Sequence, residues 1–339
     1  MSRDSERVHR IAAISRCIIL VVFIALSAFW AARGCVERAN YLRWELKTRS
    51  RMVLLKGTNI RVFPPNRRLK MYTHNPQWGA YTAQINADGF RDRNYPRKKP
   101  PDTIRIIILG DSFTFGWGLK QDDNFDNRLE SWLNQNSQGS HFEVINLSLP
   151  GINHYTEQKI LKTVGIAYDP DVVMVSVTLD DFLPDNNQIT TGDLPDLPSE
   201  FKRLTSRIRH ASEKEHYLKI AKRKNLDTRI KSDLNILWKE FVKKPFKDMT
   251  ALSKTEGFHL VIFTFVDVSP WFNTQYLKLS RSLDIPTLYC RNGFRGYENY
   301  EGQIPLSKIM IPQDGHPTAY AIDNYAYIAS QKLSALDLW

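Results

Sequence analysis

A serine directly after an apolar run is the first residue in the chain whose setting suits chemistry. Ser112 stands in the triplet Gly110-Asp111-Ser112, after the apolar run Ile104–Leu109. A serine at a strand-to-helix turn presents its hydroxyl and its own backbone N–H at the carboxyl edge of a sheet. Ser112 is therefore predicted to be a nucleophile that also supplies one oxyanion donor. Simple helix capping by Asp111 or Ser112 is the alternative interpretation.

A histidine near the end of the chain can supply the base that a serine nucleophile needs. His316 follows Asp314 by two positions and precedes a helical pattern that starts at Pro317. Imidazole can take a serine proton at neutral pH, and a nearby aspartate can fix its tautomer. We therefore predict that His316 is the general base and that Asp314 orients it. A plain helix cap before Pro317 would leave the same pattern.

The chain around these residues resembles the SGNH/GDSL hydrolase family over about residues 85–335. The segment INADGFRDRNYPRKKPPDTIRIIILGDSFTFGWGL is similar to bacterial members linked to surface polysaccharides. The resemblance implies a Ser112 nucleophile, with Asp314 and His316 before the last helix. The family's commoner spacing would put the aspartate at Gln313, whereas the two-residue spacing is similar to that of polysaccharide O-acetyl esterases and transferases.

Two further blocks of the family concern the oxyanion hole. The resemblance assigns Gly151 a second N–H donor, and Pro150-Gly151 also ends a predicted strand, although a plain turn would explain this pair. The family has an asparagine where this chain has Asp180, and an ionised carboxylate repels an oxyanion. Three outcomes are open: Asp180 is protonated, Asp181 or a neighbour takes the role, or the site is impaired.

Five short apolar runs alternate with helical patterns from residue 103 onward, and this alternation predicts a mostly parallel sheet with helices on both faces. The predicted strands are Ile104–Leu109, Phe142–Leu149, Asp171–Thr178, Phe258–Val266 and Thr287–Cys290. We expect an α/β fold, and the resemblance implies the flavodoxin-like three-layer sandwich of the family. The site should lie beyond the carboxyl ends of the strands.

An apolar N-terminal segment predicts a single transmembrane helix. The uncharged stretch Cys17–Ala32 spans about 24 Å at 1.5 Å per residue, and adding Ile11–Ile14 brings it near the ~30 Å of a bilayer core. A cleaved signal peptide is the alternative, but Arg33 suits the cleavage site poorly. We expect a single-pass protein of a bacterial inner membrane, with the large domain on the extracytoplasmic side.

The chain is thus expected to have three parts: a tail and anchor over 1–33, a linker rich in short strands and turns over 34–100, and the hydrolase-like domain over 101–339. The formal net charge is +11, and a basic stretch at about 190–250 interrupts the sheet pattern. That stretch is either a solvated helical face or a lid that attracts an anionic polymer or lipid surface. It carries no known nucleic-acid-binding motif. The sequence leaves the oligomeric state open.

The predicted chemistry needs no metal or organic cofactor, and three cysteines without a CxxC pattern form no metal cluster. The other histidines have no comparable context and are expected to be structural or exposed: His74, His141, His154, His210, His216 and His259. We expect a membrane-anchored esterase or O-acyltransferase acting on acyl esters of a glycan, most simply acetyl. A lysophospholipase-like lipid esterase and an inactive glycan-binding or assembly protein are the alternatives.

Overall fold

The structure is a computed structural model that describes residues 51–73, 80–137, 139–178, 181–183, 228–265, 270–289 and 306–339, with isolated helical positions between 23 and 48. Within these residues no helix combines the length and apolar character that crossing a bilayer requires. The predicted anchor lies almost wholly outside the described residues, as do Asp180, His74, His210, His216, Cys17 and Cys290.

The centre of the protein is a parallel sheet of five strands, which confirms the predicted mostly parallel architecture. Its strands are β5 (Thr103–Leu109), β6 (His141–Asn146), β7 (Val172–Val177), β8 (His259–Thr264) and β9 (Thr287–Tyr289). Their spatial order is β6-β5-β7-β8-β9, and every pair is parallel. In this order the connections leave β5 and β7 towards opposite sides, so the crevice between their carboxyl ends suits a ligand.

The second strand ends three residues earlier than its apolar pattern predicted. The Asn146 side-chain oxygen accepts the N–H of Ser148 at 3.0 Å, which turns the chain away from regular pairing. The residues after Asn146 still run beside β5, because the N–H of Leu147 donates to the carbonyl of Ile108 and that of Leu149 to the carbonyl of Gly110. The loop that holds Pro150 and Gly151 is thus tied to the loop that precedes Ser112.

Helices cover both faces of the sheet. They are α1 (Ser112–Phe115), α2 (Phe125–Asn136), α3 (His154–Thr163), α4 (Thr228–Trp238), α5 (Lys244–Glu256), α6 (Pro270–Leu283), α7 (Leu306–Ile309) and α8 (Ala319–Ser334). Alternate strand residues pack against opposite layers: Ile107 and Val173 belong to the core under α3 and α5, whereas Ile106 and Met174 belong to the core under α2 and α8. Two apolar cores therefore hold the strands from both sides.

The described part of the basic stretch is the crossover between β7 and β8. Helices α4 and α5 are joined by a π-helical turn at Lys239–Lys243. Leu237, Phe246 and Met249 are fully buried in the core, and the lysines lie between them on the outer face. From residue 228 onward the stretch therefore covers the sheet as a solvated amphipathic helix pair. Residues 202–227, the rest of the expected lid, lie outside the described residues.

Four short strands precede the sheet. They form two antiparallel ribbons, β1 (Val53–Leu54) with β2 (Arg61–Val62) and β3 (Arg67–Tyr72) with β4 (Ala80–Ile85). In β4 the burial alternates, so that Tyr81, Ala83 and Ile85 face the core while the residues between them are exposed. The buried face of the ribbon of β3 and β4 thereby packs against the core of the main domain.

A buried polar network joins the end of β6 to the first helices. The Asn146 amide donates to the carbonyl of Thr114 at 2.9 Å and to Asp126 at 2.8 Å, and Asp92 accepts the backbone N–H of Asn146 at 2.8 Å. Burial raises the pKa of Asp126 to about 7, and burial together with the charge of Asp126 raises the pKa of Asp92. The folded protein therefore binds protons that the unfolded chain releases.

Replacing Asp126 by asparagine should flatten the pH dependence of stability. A carboxyl whose folded pKa lies above its unfolded pKa stabilises the fold at low pH and loses that contribution as the pH rises towards 7. Between pH 4.5 and 6.5 the unfolding free energy of the wild type should fall by up to about 1.4 kcal/mol per pH unit for this proton. Urea unfolding at several pH values should show a shallower fall in Asp126→Asn.

The matched control is Asp122→Asn, because Asp122 is an exposed aspartate in the neighbouring 3-10 turn. Its pH profile should follow that of the wild type. An unchanged slope in Asp126→Asn would show that Asp126 is ionised in the folded protein throughout this range.

Candidate active site

The turn between β5 and α1 places Ser112 at the start of a helix. The side chain of Asp111 accepts the N–H of Phe113 at 2.9 Å and caps this helix, so the capping interpretation holds for Asp111. Gly110 has no room for a side chain, since a Cβ there would lie 2.2 Å from Oγ1 of Thr114. The turn is therefore tight, and it leaves Ser112 half-buried at the carboxyl edge of the sheet.

A tight loop before α8 presents the histidine. The N–H of Ile311 donates to the carbonyl of His316 at 2.7 Å, and the N–H groups of Asp314 and Gly315 donate back to Ile311 at 3.1 Å. Gly315 has φ +84°, and Gln313 also has a left-handed φ of +62°. Asp314 and His316 therefore flank a glycine turn that brings both side chains to one side.

The structure brings Ser112, His316 and Asp314 into one hydrogen-bonded chain. Nε2 of His316 lies 2.8 Å from Oγ of Ser112, and Nδ1 of His316 is hydrogen-bonded to Oδ1 of Asp314. The Asp314 side chain is fully buried, whereas the histidine side chain keeps 15% of its surface exposed. With Nδ1–H donated to the carboxylate, Nε2 is free of its proton and can accept that of Ser112.

Aromatic rings frame the histidine. The ring of Phe113 lies 5.3 Å from the imidazole and that of Trp117 lies 5.9 Å from it, measured between ring centroids. Phe113 in turn contacts Phe265, which follows β8. These contacts restrict the orientation of the imidazole and shield one side of it from water.

The loop after β7 is hydrogen-bonded to the serine turn. The hydroxyl of Thr178 donates to Oδ2 of Asp111 at 3.0 Å, and the N–H of Thr178 donates to Asp181 at 2.5 Å. Asp181 is buried, and its carboxylate accepts this hydrogen bond. Asp180, the expected counterpart of the family asparagine, lies outside the described residues, so its role stays a prediction.

Gly151 lies in the turn after β6, with φ +72° and partial exposure. Because the N–H of Leu149 donates to the carbonyl of Gly110 at 3.2 Å, this turn lies at the same sheet edge as Ser112. Its location agrees with that expected of an oxyanion donor, and the donor role itself stays a prediction.

A buried arginine that the sequence analysis missed holds the loop after α1. Arg91 is fully buried and donates to three backbone carbonyls, those of Phe115 at 3.1 Å, Gly116 at 2.5 Å and Leu119 at 2.6 Å. A guanidinium has five donors in a fixed plane, so one side chain can fix a whole turn. Arg91 lies within the segment that carried the family resemblance, but nothing in the pattern alone distinguishes it from a surface arginine.

A second buried cluster, around His154, raises the question of a metal. Ligand atoms of His154, Glu157 and Asp181 lie within 4.8 Å of one another. Glu157 contacts Nδ1 of the ring at 2.6 Å, whereas Asp181 lies 3.6 Å from Nε2, which also contacts the hydroxyl of Tyr276 at 2.8 Å. One ion binds one ring nitrogen, so carboxylates on opposite nitrogens fit a hydrogen-bonded core better than a metal centre. Burial also lowers the pKa of His154, which favours the neutral ring.

The remaining described histidines meet the expectation made for them. His154 is a buried structural residue, and His141 and His259 are exposed at the first positions of β6 and β8. Neither of the two strand positions lies at the carboxyl edge, where the site is.

No protein-family model matches the chain, and no curated protein matches it. Solved structures do match. The acetylxylan esterase Axe2 from Geobacillus stearothermophilus is 13% identical with a TM-score of 0.43, over 68% of this chain and 94% of that one. A protein described as a GDSL-like lipase from Parabacteroides merdae is 12% identical with a TM-score of 0.41, over 67% and 95%. A two-domain esterase active on acetylated mannans is 12% identical with a TM-score of 0.43, over 69% and 50%.

At identities of 12–13% and TM-scores of 0.41–0.43 these likenesses carry no argument about this chain, and the chemistry has to be argued from the atoms of the site.

Removing the Arg91 guanidinium should destabilise the protein strongly. Arg91→Gln would leave the buried carbonyls of the loop after α1 without donors, and we expect a loss of roughly 3–5 kcal/mol in unfolding free energy. Arg93→Gln is the matched control, because Arg93 is 42% exposed and pairs with Glu130. That change should cost about 1 kcal/mol or less. Urea unfolding of both variants measures the difference, and equal losses would refute the positioning role of Arg91.

Proposed function

We propose that this protein transfers acyl groups from esters through a covalent intermediate on Ser112, acting as a serine esterase or as a related O-acyltransferase. The observation that carries the proposal is the 2.8 Å contact between Oγ of Ser112 and Nε2 of His316, with Nδ1 of the same ring bonded to buried Asp314. This arrangement gives a serine hydroxyl the base that it needs and holds that base in one tautomer.

The reaction starts when His316 takes the proton of Ser112 while Oγ attacks the acyl carbonyl. The carbonyl oxygen becomes an oxyanion, which the N–H groups of Ser112 and Gly151 are proposed to stabilise. His316 then gives its proton to the leaving alcohol, and the acyl group stays on Ser112. In the second half an acceptor loses a proton to His316 and attacks the acyl carbonyl. The bond between the acyl group and Oγ of Ser112 then breaks, and His316 returns the proton to Oγ. Water as acceptor gives an esterase, and a sugar hydroxyl gives a transferase.

The environment of Ser112 supports a role for the loop after β7 in this chemistry. Thr178 bonds Asp111, the residue before the nucleophile, so Thr178 is fixed against the serine turn. A protonated Asp180 could donate a hydrogen bond to the oxyanion, whereas an ionised one would oppose it. The proposal therefore expects Asp180 to be neutral during the reaction or to point away from the oxyanion.

We propose that the substrate is an acetylated glycan. We also propose that the N-terminal segment anchors the protein in a bacterial inner membrane, with the glycan on the outer side of that membrane. The sequence resemblance to polysaccharide O-acetyl esterases and transferases supports the substrate, and the apolar stretch Cys17–Ala32 between basic residues supports the anchor. A lipid esterase would prefer long acyl chains, so the acyl preference separates the two substrates.

Hydrolysis of p-nitrophenyl acetate should depend on the Ser112–His316 pair. We expect Ser112→Ala and His316→Ala each to lower kcat at least 10³-fold, because either change removes the nucleophile or its base. The rates of p-nitrophenyl acetate and p-nitrophenyl palmitate should be compared in the same assay, with the acetyl ester as the better substrate.

Matched controls come from exposed residues of the same types. Ser131 lies on the outer surface of α2 and His259 is exposed at the start of β8, so Ser131→Ala and His259→Ala should keep the wild-type rate. Equal rates in all four variants would point to an inactive binding protein on this fold. A clear preference for the palmitoyl ester would indicate that the substrate is a lipid and not a glycan.

A further inference from the structure

A cavity of about 330 Å³ lies beside the proposed active site, and the proposed chemistry does not use it. It lies between the ribbon of β3 and β4 and the 3-10 turn Gln121–Asp123 that follows the serine helix. The residues that line it are Arg68, Ala80, Tyr81, Thr82, Gln84, Lys120 and Gln121.

The charge of this cavity is positive. Arg68 and Lys120 are its two charged wall residues, and none of its wall residues is a carboxylate. Within the described part of the chain neither cation is recorded in an ion pair. Lys70 adds a third cation on the same exposed face of the ribbon, two positions from Arg68 and opposite Thr82. An anion entering the cavity would therefore meet cations that are not already neutralised by these ion pairs.

The walls are fixed to the loop that holds the nucleophile. The side-chain oxygen of Gln121 accepts the N–H of Gln84 at 3.2 Å and Nε of Arg91 at 3.3 Å. Arg91 is the same residue that holds the carbonyls after Ser112. The ribbon, the 3-10 turn and the serine loop thus share one buried anchor, and the cavity keeps a constant position relative to the reacting group.

Two aromatic rings connect the cavity with the catalytic histidine. The ring of Tyr81, a wall residue, lies 6.4 Å from that of Trp117, and Trp117 lies 5.9 Å from the ring of His316. A small acetyl ester bound at Ser112 would not extend this far. A longer substrate would place a neighbouring unit there.

We propose that this cavity is a subsite for an anionic sugar unit, such as a uronic acid, of the glycan whose ester reacts at Ser112. The inference rests on the proposed function, and it adds that the glycan substrate is negatively charged. Arg68 matches a carboxylate with two parallel donors, Lys120 adds a point charge, and the amides of Gln84 and Gln121 together with the hydroxyl of Thr82 match sugar hydroxyls.

Binding can be measured without turnover in the full-length Ser112→Ala protein. The probes are an oligomer of six galacturonic acid units and xylohexaose, its uncharged counterpart in length, titrated calorimetrically at 50 mM and 300 mM NaCl. The acidic oligomer should bind, more weakly at the higher salt, and xylohexaose should bind at least tenfold more weakly. Adding Arg68→Gln and Lys120→Gln together should weaken binding of the acidic oligomer by tenfold or more.

The control carries the same change of charge at a distance. Lys56 and Arg61 are exposed on the ribbon of β1 and β2, so Lys56→Gln with Arg61→Gln should leave the affinity within about twofold. An equal loss in this control would reveal unspecific attraction and overturn the proposal. Equal affinity for xylohexaose would also overturn it, as would binding to phosphatidylglycerol vesicles that depends on Arg68 and Lys120 while the acidic oligomer does not bind.

The outcome is separable from that of the proposed function, because the titration needs no ester and no active serine. Absence of ester hydrolysis in the wild type would refute the esterase proposal and leave a sugar-binding protein. Absence of oligomer binding in an active enzyme would refute the subsite alone.

Discussion

The proposed chemistry depends on one hydrogen bond, between the hydroxyl of Ser112 and the imidazole of His316. The two residues are 204 positions apart in the sequence. They meet because the loops that follow parallel strands all lie at the carboxyl edge of the sheet. The serine turn follows β5, and the histidine turn precedes α8, which packs on α2 across that same layer. The fold thus converts a distant pair of residues into a proton-transfer pair.

Holding that pair requires polar groups in the interior, which lower the stability unless they are paired. Arg91 bonds the carbonyls after the serine helix, and Asn146 bonds the helix itself through Thr114. The cost is visible in Asp126, whose pKa rises to about 7 because its charged form is poorly solvated there. The interior network therefore exchanges some stability near neutral pH for a fixed position of the nucleophile.

Much of this arrangement could be predicted from local sequence. The strands were evident because fully buried parallel strands are continuous apolar runs. Ser112 and His316 were predicted because Ser112 follows such a run, His316 precedes the last helical pattern, and both match blocks of the family that the chain resembles. Arg91, Asp126 and Asn146 could not be found in this way, since their roles arise from burial and contacts across the fold. The end of β6 was also missed, because a hydrogen bond from the N–H of Ser148 to the Asn146 side-chain oxygen, rather than apolarity, ends the strand.

The most direct test of the central claim is to find which residue a serine-directed reagent modifies. The full-length protein is incubated with a fluorophosphonate, and the modified peptide is identified by mass spectrometry. The account predicts a single adduct on Ser112 that forms at least a hundredfold more slowly in His316→Ala. Rapid modification of Ser112 without the histidine, or no modification of Ser112 in the folded wild type, would contradict it.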